Sequence, residues 1–216
     1  TAGRVEPRDI TGWLDSGEYY ESNNVEVDND GNLTLKYQDT EYALDFDGND
    51  DYVDLGNPTE FSSSNLGQSF TIEVKITVNE NDLDGNIHDI VGHGDPNTND
   101  NFRIRFSGGS LNIHADTPGY NGVFTVTTLE KDTVYLISVS YDGYNIKAYI
   151  DGTLLAKNTS YSGDLATSSA SWCFGSRGGK ENYLHSDIIE VRFWNDVRTQ
   201  LEIKNNLNTA FNGDEQ

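Results

Sequence analysis

The chain of 216 residues has no methionine, one cysteine, four prolines and four histidines, and only 14 Lys and Arg against 36 Asp and Glu. A single thiol, Cys173, excludes an internal disulfide and a thiolate metal cluster. Its place in the apolar run Trp172-Cys-Phe174 predicts a buried, inert side chain. The shortage of basic residues leaves a formal charge of -22, which repels nucleic acid and anionic membrane surfaces. No nucleic-acid partner is expected. No run approaches the ~20 apolar residues that span a bilayer, and residues 1–9 lack the apolar core of a signal peptide, so no membrane insertion is expected. His88, His93, His114 and His185 show no His-x-x-x-His zinc spacing, and no Gly-x-Ser-x-Gly elbow occurs. The missing methionine fits a module excised from a longer, multidomain chain.

What is abundant is alternation. In Phe70-Thr-Ile-Glu-Val-Lys-Ile-Thr-Val78 the apolar residues Phe70, Ile72, Val74, Ile76 and Val78 share one face, while Thr71, Glu73, Lys75 and Thr77 face away, as in a strand with one wet side. Phe102-Arg-Ile-Arg-Phe106, Val134 to Tyr141 and Ile146 to Ile150 repeat the pattern. Turns are legible at Ser107-Gly-Gly-Ser110, Asp142-Gly143 and Asp151-Gly152, where glycine supplies positive φ. Val134 to Leu155 therefore reads as a three-stranded meander. Residues 199–207 alone look helical: Thr199 caps, Glu202 follows three residues later, and Leu201, Ile203 and Leu207 share an inner stripe. Residues 1–41 read as an amino-terminal extension, with a hairpin from Val25-Glu-Val27 and Leu33-Thr-Leu-Lys-Tyr37, packed on a single all-β sandwich of residues 42–216.

One stretch, Asp45-Phe-Asp-Gly-Asn-Asp-Asp-Tyr-Val-Asp-Leu55, carries five aspartates with Phe46, Val53 and Leu55 as strand anchors. Clustered Asp and Asn on a glycine-containing turn supply the oxygens that calcium takes. A self-contained EF-hand is excluded, because a loop starting at Asp45 needs glycine and glutamate where the chain has Asp50 and Gly56.

Three segments in order resemble the laminin-G-like, concanavalin A-like jelly-roll superfamily, in its bacterial branch related to the pentraxins. They are Tyr42 to Gly56 with Phe70-Thr-Ile-Glu-Val74; Tyr141-Asp-Gly-Tyr-Asn-Ile-Lys-Ala-Tyr-Ile-Asp-Gly-Thr-Leu154; and Phe174 to Gly179 with Asp187-Ile-Ile-Glu-Val-Arg-Phe-Trp194 and Val197-Arg-Thr-Gln200. The resemblance implies a two-sheet antiparallel jelly-roll sandwich with one concave side and one short carboxyl-terminal helix. It also implies a Ca2+ ion tying the turn after the Leu-Asp-Phe strand to the last strand, which nominates Asp47, Asn49 and Asp187, with Asp50 and Asp51 as alternates. The family pattern Gly-x-Ile-Asp-Glu-Val-Arg is broken twice, by Ser186 for the glycine and Ile189 for the aspartate.

Relatives include glycoside hydrolases, which use two carboxyl groups about 5 to 5.5 Å apart. The nearest match, His185-Ser-Asp-Ile-Ile-Glu190, places histidine at the nucleophile position, and Asp187 and Glu190 would point to opposite faces of a regular strand. Glu190 shares a face with Arg192, which predicts a structural ion pair. No catalysis is expected. Sugars are held by amides, carboxylates and aromatic rings, and three polar loops supply these groups. They offer Asp95, Asn97, Asp100 and Asn101; Tyr120 and Asn121; and Arg177, Asn182, Tyr183 and His185. The expected function is calcium-dependent carbohydrate binding by a lectin-like module of an extracellular or cell-surface bacterial protein, an adhesin or a polysaccharide-degrading enzyme. The alternatives are a protein- or peptide-binding adhesion domain, a glycoside hydrolase and a structural spacer.

Overall fold

The computed structural model describes residues 25–27, 33–35, 43–57, 69–94, 100–117, 120–161, 163–165 and 170–207. The chain divides into two compact units, Thr1–Glu41 and Tyr42–Gln216. In the first, β1 (Val25–Val27) pairs antiparallel with β2 (Leu33–Leu35), Val25 opposite Leu35.

The second unit is a sandwich of two six-stranded antiparallel sheets. One sheet runs β12 (Thr153–Asn158), β11 (Ile146–Ile150), β10 (Val134–Tyr141), β5 (Phe70–Thr77), β14 (Asp187–Trp194), β3 (Leu44–Asp45). The other runs β4 (Val53–Asp54), β13 (Trp172–Phe174), β6 (His88–Gly94), β7 (Asp100–Ser107), β8 (Ser110–Thr117), β9 (Tyr120–Thr127). The sequence alternation sets which side chains meet between them. Phe70, Ile72, Val74 and Ile76 of β5, Val139 and Tyr141 of β10, Phe102, Ile104 and Phe106 of β7 and Ile113 of β8 form one buried core. Phe70 meets Phe102 edge-on at 5.4 Å, and Trp172 packs against both Phe102 and Phe193. Each such fully buried side chain stabilises the fold by about 1.5–3 kcal/mol relative to exposure.

The hairpins form where turn residues were read. Ser107 pairs Ser110 across Gly108 and Gly109, at φ 61° and 72° as a tight hairpin turn requires. β10, β11 and β12 make the expected meander. Helix α1 (Gln200–Asn205) starts at Thr199 with a full capping box, Glu202 reaching back to the Thr199 backbone.

Three expectations need correction. Leu201 does not join the inner stripe: it is 68% exposed, while Ile203 is fully buried and Leu207 packs beside it. Positions 203 and 207 are four apart and share a helix face, whereas 201 lies nearly opposite 203. The outward side of β5 is not wet, since Thr71 and Glu73 are buried. Residues 194–198 cross it: the Thr71 hydroxyl donates to the Asp196 carbonyl and accepts from the Arg198 backbone N–H, and Trp194 donates to Glu73. Finally, β14 is not regular. Its register against β5 shifts between Ile188 and Glu190, so Asp187 lies opposite Thr77 and Glu190 opposite Lys75. Thr77 and Lys75 share a face, so a bulge at Ile189 brings Asp187 and Glu190 to the same side.

Candidate ligand-binding face and acidic turn

The two sheets differ in what covers their outer faces. On the β5 sheet the end of the chain closes the surface. Arg192 grips Glu190 through Nε and an amino group at 2.7 and 2.6 Å, approaches Glu73 at 3.4 Å and donates to the Asn206 carbonyl. Glu190 is thus held as one half of the ion pair read from the sequence.

The outer face of the β7 sheet is built from the polar halves of alternating strands. Two rows cross it in register: Asp89, Arg105, Asn112 and Thr125, then Gly92, Arg103, His114 and Val123. Arg103 is 2% exposed, Arg105 8%, Asn112 5% and His114 7%, so this is a sheltered polar surface. Arg103 makes a two-pronged bond to Asp89, at 2.7 and 2.5 Å. Burial pushes the Asp89 carboxyl up, opposed by the Arg103 and Arg105 guanidinium groups. Asn112 donates to the Ser107 and Ser110 carbonyls and accepts from Thr125.

The loop from Gly175 to Leu184 folds over one side of this face. The Asn182 carbonyl accepts from the Asp89 N–H at 2.8 Å, and the Asn182 side chain bonds the Asp89 carboxylate. Gly92 admits the loop, because a Cβ there would stand 3.0 Å from the Ser176 carbonyl oxygen. Arg177 pairs with Glu181 at 2.9 Å, and the Tyr183 hydroxyl donates to the Gly179 carbonyl. Of the proposed loop residues, Arg177, Asn182 and Tyr183 therefore lie in one internally bonded loop. His185 turns away from it to Asp82.

The other predicted ligand residues fall elsewhere. Asp100 and Asn101 belong to β7 and Tyr120 and Asn121 to β9 rather than to loops, with Asn101 fully buried. Asp95 and Asn97 lie outside the described residues. Sequence reading missed Asp89, Arg103, Arg105, Asn112 and His114. The signal was there in Phe102-Arg-Ile-Arg-Phe106 and Leu111-Asn-Ile-His-Ala115, where every second residue is polar, a pattern that an ordinary solvated strand shares.

The acidic turn brings together Asp47, Asp50 and Asp51, each with an oxygen within 4.8 Å of the others. Asp47 accepts from the Asn49 backbone and side-chain amide, which hold its carboxyl below the usual range. This exposed set of carboxylate and amide oxygens suits a hard cation such as calcium. Asp187 stands apart from it, opposite Asp45 on β3. There burial and the hydrogen-bonded Asp45 carboxyl push the Asp187 pKa up. Cys173 is buried, which raises its thiol to about 11.

Two antiparallel six-stranded sheets packed face to face define a jelly-roll sandwich. Residues 47–204 match the Concanavalin A-like lectin/glucanases superfamily, and the chain belongs to it. Solved structures of similar fold include a Bacteroides ovatus protein to which carbohydrate binding is ascribed, with a TM-score of 0.61 and 20% identity over 78% of this chain and 47% of that one. A second is the Ruminococcus gnavus IT-sialidase CBM40 bound to alpha2,3 sialyllactose, with a TM-score of 0.58 and 14% identity over 76% of this chain and 94% of that one. A third is domain 4 of AbnA, a GH43 extracellular arabinanase from Geobacillus stearothermophilus, in complex with arabinotriose. Its TM-score is 0.55, with 15% identity over 84% of this chain and 79% of that one. At these identities the likeness is one of fold. This chain spans less than half the length of the Bacteroides ovatus protein. A search of curated proteins finds no match. Among the described residues no helix is long and apolar enough to cross a membrane.

Proposed function

We propose that this chain is a non-catalytic carbohydrate-recognition module of a larger extracellular or cell-surface protein, and that glycan binds on the outer face of the β7 sheet. The observation that carries this reading is the run of polar side chains Arg103, Arg105, Asn112 and His114, set in register on adjacent strands of the β7 sheet with the Gly175–Leu184 loop beside them. Polar groups already held by packing and hydrogen bonds need little ordering when a ligand arrives, which lowers the cost of binding. Similar folds that bind sialyllactose and arabinotriose support the assignment by analogy. Glu190, committed to Arg192, is poorly suited to act as a free general acid. Calcium would be held by Asp47, Asp50 and Asp51 and would stiffen the turn.

A glycan array tests the reading. Binding to at least one sugar class is expected, weakened at least about tenfold, or 1.4 kcal/mol, in Arg105→Gln and in the half-buried Arg177→Ala. Silence on every glycan with capture of a defined peptide would replace this reading by the adhesion alternative. Release of reducing sugar that vanishes in Glu190→Gln would make the chain an enzyme.

A further inference from the structure

Outside that face, three elements bring one carboxylate and two imidazoles to a point. Asp82 lies in the 3-10 turn Glu80–Leu83, His88 opens β6, and His185 sits two residues before β14. Asp82 is fully buried, the His88 side chain is 9% exposed and that of His185 25%, so the point is reached from solvent on the His185 side. Asp82 Oδ1 is 3.2 Å from His185 Nδ1 and 3.6 Å from His88 Nδ1. Bonds of about 2.0–2.1 Å to zinc place neighbouring tetrahedral ligand atoms about 3.3 Å apart, between these two distances. The imidazole centroids are 5.0 Å apart and their planes cross at 72°. The same bond lengths put two rings on one tetrahedral ion with centroids about 5 Å apart.

The surroundings match what ligands to a metal need. His88 turns Nε2 to the Asp84 carboxylate at 3.1 Å, the carboxylate–histidine contact that fixes ring orientation and leaves Nδ1 facing inward. Asp82 Oδ2 accepts from the Ser186 hydroxyl, and Oδ1 accepts the His185 backbone N–H at 2.9 Å. The Tyr183 carbonyl oxygen accepts from His88 Nδ1 at 2.8 Å, and a metal ion would take the place of that proton. Gly48 keeps the His185 ring in place from the far side: at φ +78° it carries no side chain, and a Cβ there would stand 2.0 Å from His185 Nε2.

We propose that Asp82, His88 and His185 form a binding site for a divalent transition metal of the zinc type, clamping the 3-10 turn, β6 and the entry to β14. Imidazole donors suit zinc or cobalt rather than calcium, which separates this site chemically from the acidic turn. The site does not depend on glycan binding. Its ligands are scattered over 103 positions in sequence, which is why no histidine spacing reveals it.

Titration of the chelator-stripped protein with Co2+, followed by visible absorption, tests the proposal. The expected result is one equivalent of tetrahedral Co2+, displaced by Zn2+. His185→Ala should weaken binding about 100-fold or more and Asp84→Asn about 10–100-fold. Asp84 is 40% exposed, so its variant keeps the test valid should His185→Ala fail to fold. Asp51→Asn, in the acidic turn, should leave the spectrum unchanged. Absence of a stoichiometric signal in the wild type, the same signal in Asp84→Asn, or its loss in Asp51→Asn overturns the proposal.

Discussion

His93 lies flat on Trp172, with ring centroids 4.5 Å apart and planes 10° from parallel. One ring nitrogen bonds the Ala170 backbone and Nε2 is buried without a partner, so charging the ring is costly, and burial lowers its pKa from 6.5 to about 4. The consequence for stability has a definite sign. Between pH 6.5 and about 4 the unfolded chain takes up a proton at this position and the folded chain does not. The stability linked to neutral His93 is therefore complete above pH 6.5 and is lost as pH falls toward 4, at up to about 1.4 kcal/mol per pH unit. Urea unfolding at a series of pH values should show the wild type losing stability faster than His93→Phe, which keeps the stacking and cannot titrate. Parallel curves would mean that the ring is solvated. Position 93 illustrates what sequence conceals at this scale: His93 and His114 read alike as polar residues on strands, yet one stacks on the core tryptophan and the other faces outward beside Arg103.

Helix α1 is the shortest regular element that matters to the outer face of the β5 sheet. Its buried Ile203 packs with Leu136 and Tyr149, and its anchor is the capping box of Thr199 and Glu202. Thr199→Ala should cost about 1 kcal/mol, a fall of about 2–4 °C in Tm by calorimetry for a chain of this size. An unchanged Tm would show that packing alone holds the helix. The cap was legible because Thr199 and Glu202 make it within one turn of chain. The strands were legible for a similar reason, since the two-residue alternation of apolar and polar side chains in Phe70 to Thr77 marks a strand locally, whatever later covers its polar side. The bulge at Ile189 was not, because Asp187-Ile-Ile-Glu190 is compatible with either register and only pairing with β5 chooses. The closing of the β5 outer face was hidden too, as it depends on where residues 194–198 cross the sheet. The candidate site residues were the least legible: Asp89 and Arg103 on two strands, and Asp82, His88 and His185 in three segments, come together only once the sandwich is built.

At the scale of the molecule, a charge of -22 is a standing load on the compact state. A cation bound at Asp47, Asp50 and Asp51 relieves part of it and, binding the folded form alone, adds about 2.7 kcal/mol at a hundred times its dissociation constant. Calcium added to chelator-treated protein should raise Tm in the wild type and not in Asp51→Asn; an equal rise in both would place the ion elsewhere. The two sheets carry unequal duties. The β5 sheet spends its outer surface on Glu73, Arg192, Trp194 and α1, whereas the β7 sheet carries Arg103, Arg105, Asn112 and His114. The sandwich therefore has two unlike faces. A linker, dye or sensor chip attached near the exposed Leu201 would sit on the side that α1 covers and spare the face proposed to bind glycan, whereas attachment along β8 and β9 would obstruct that face.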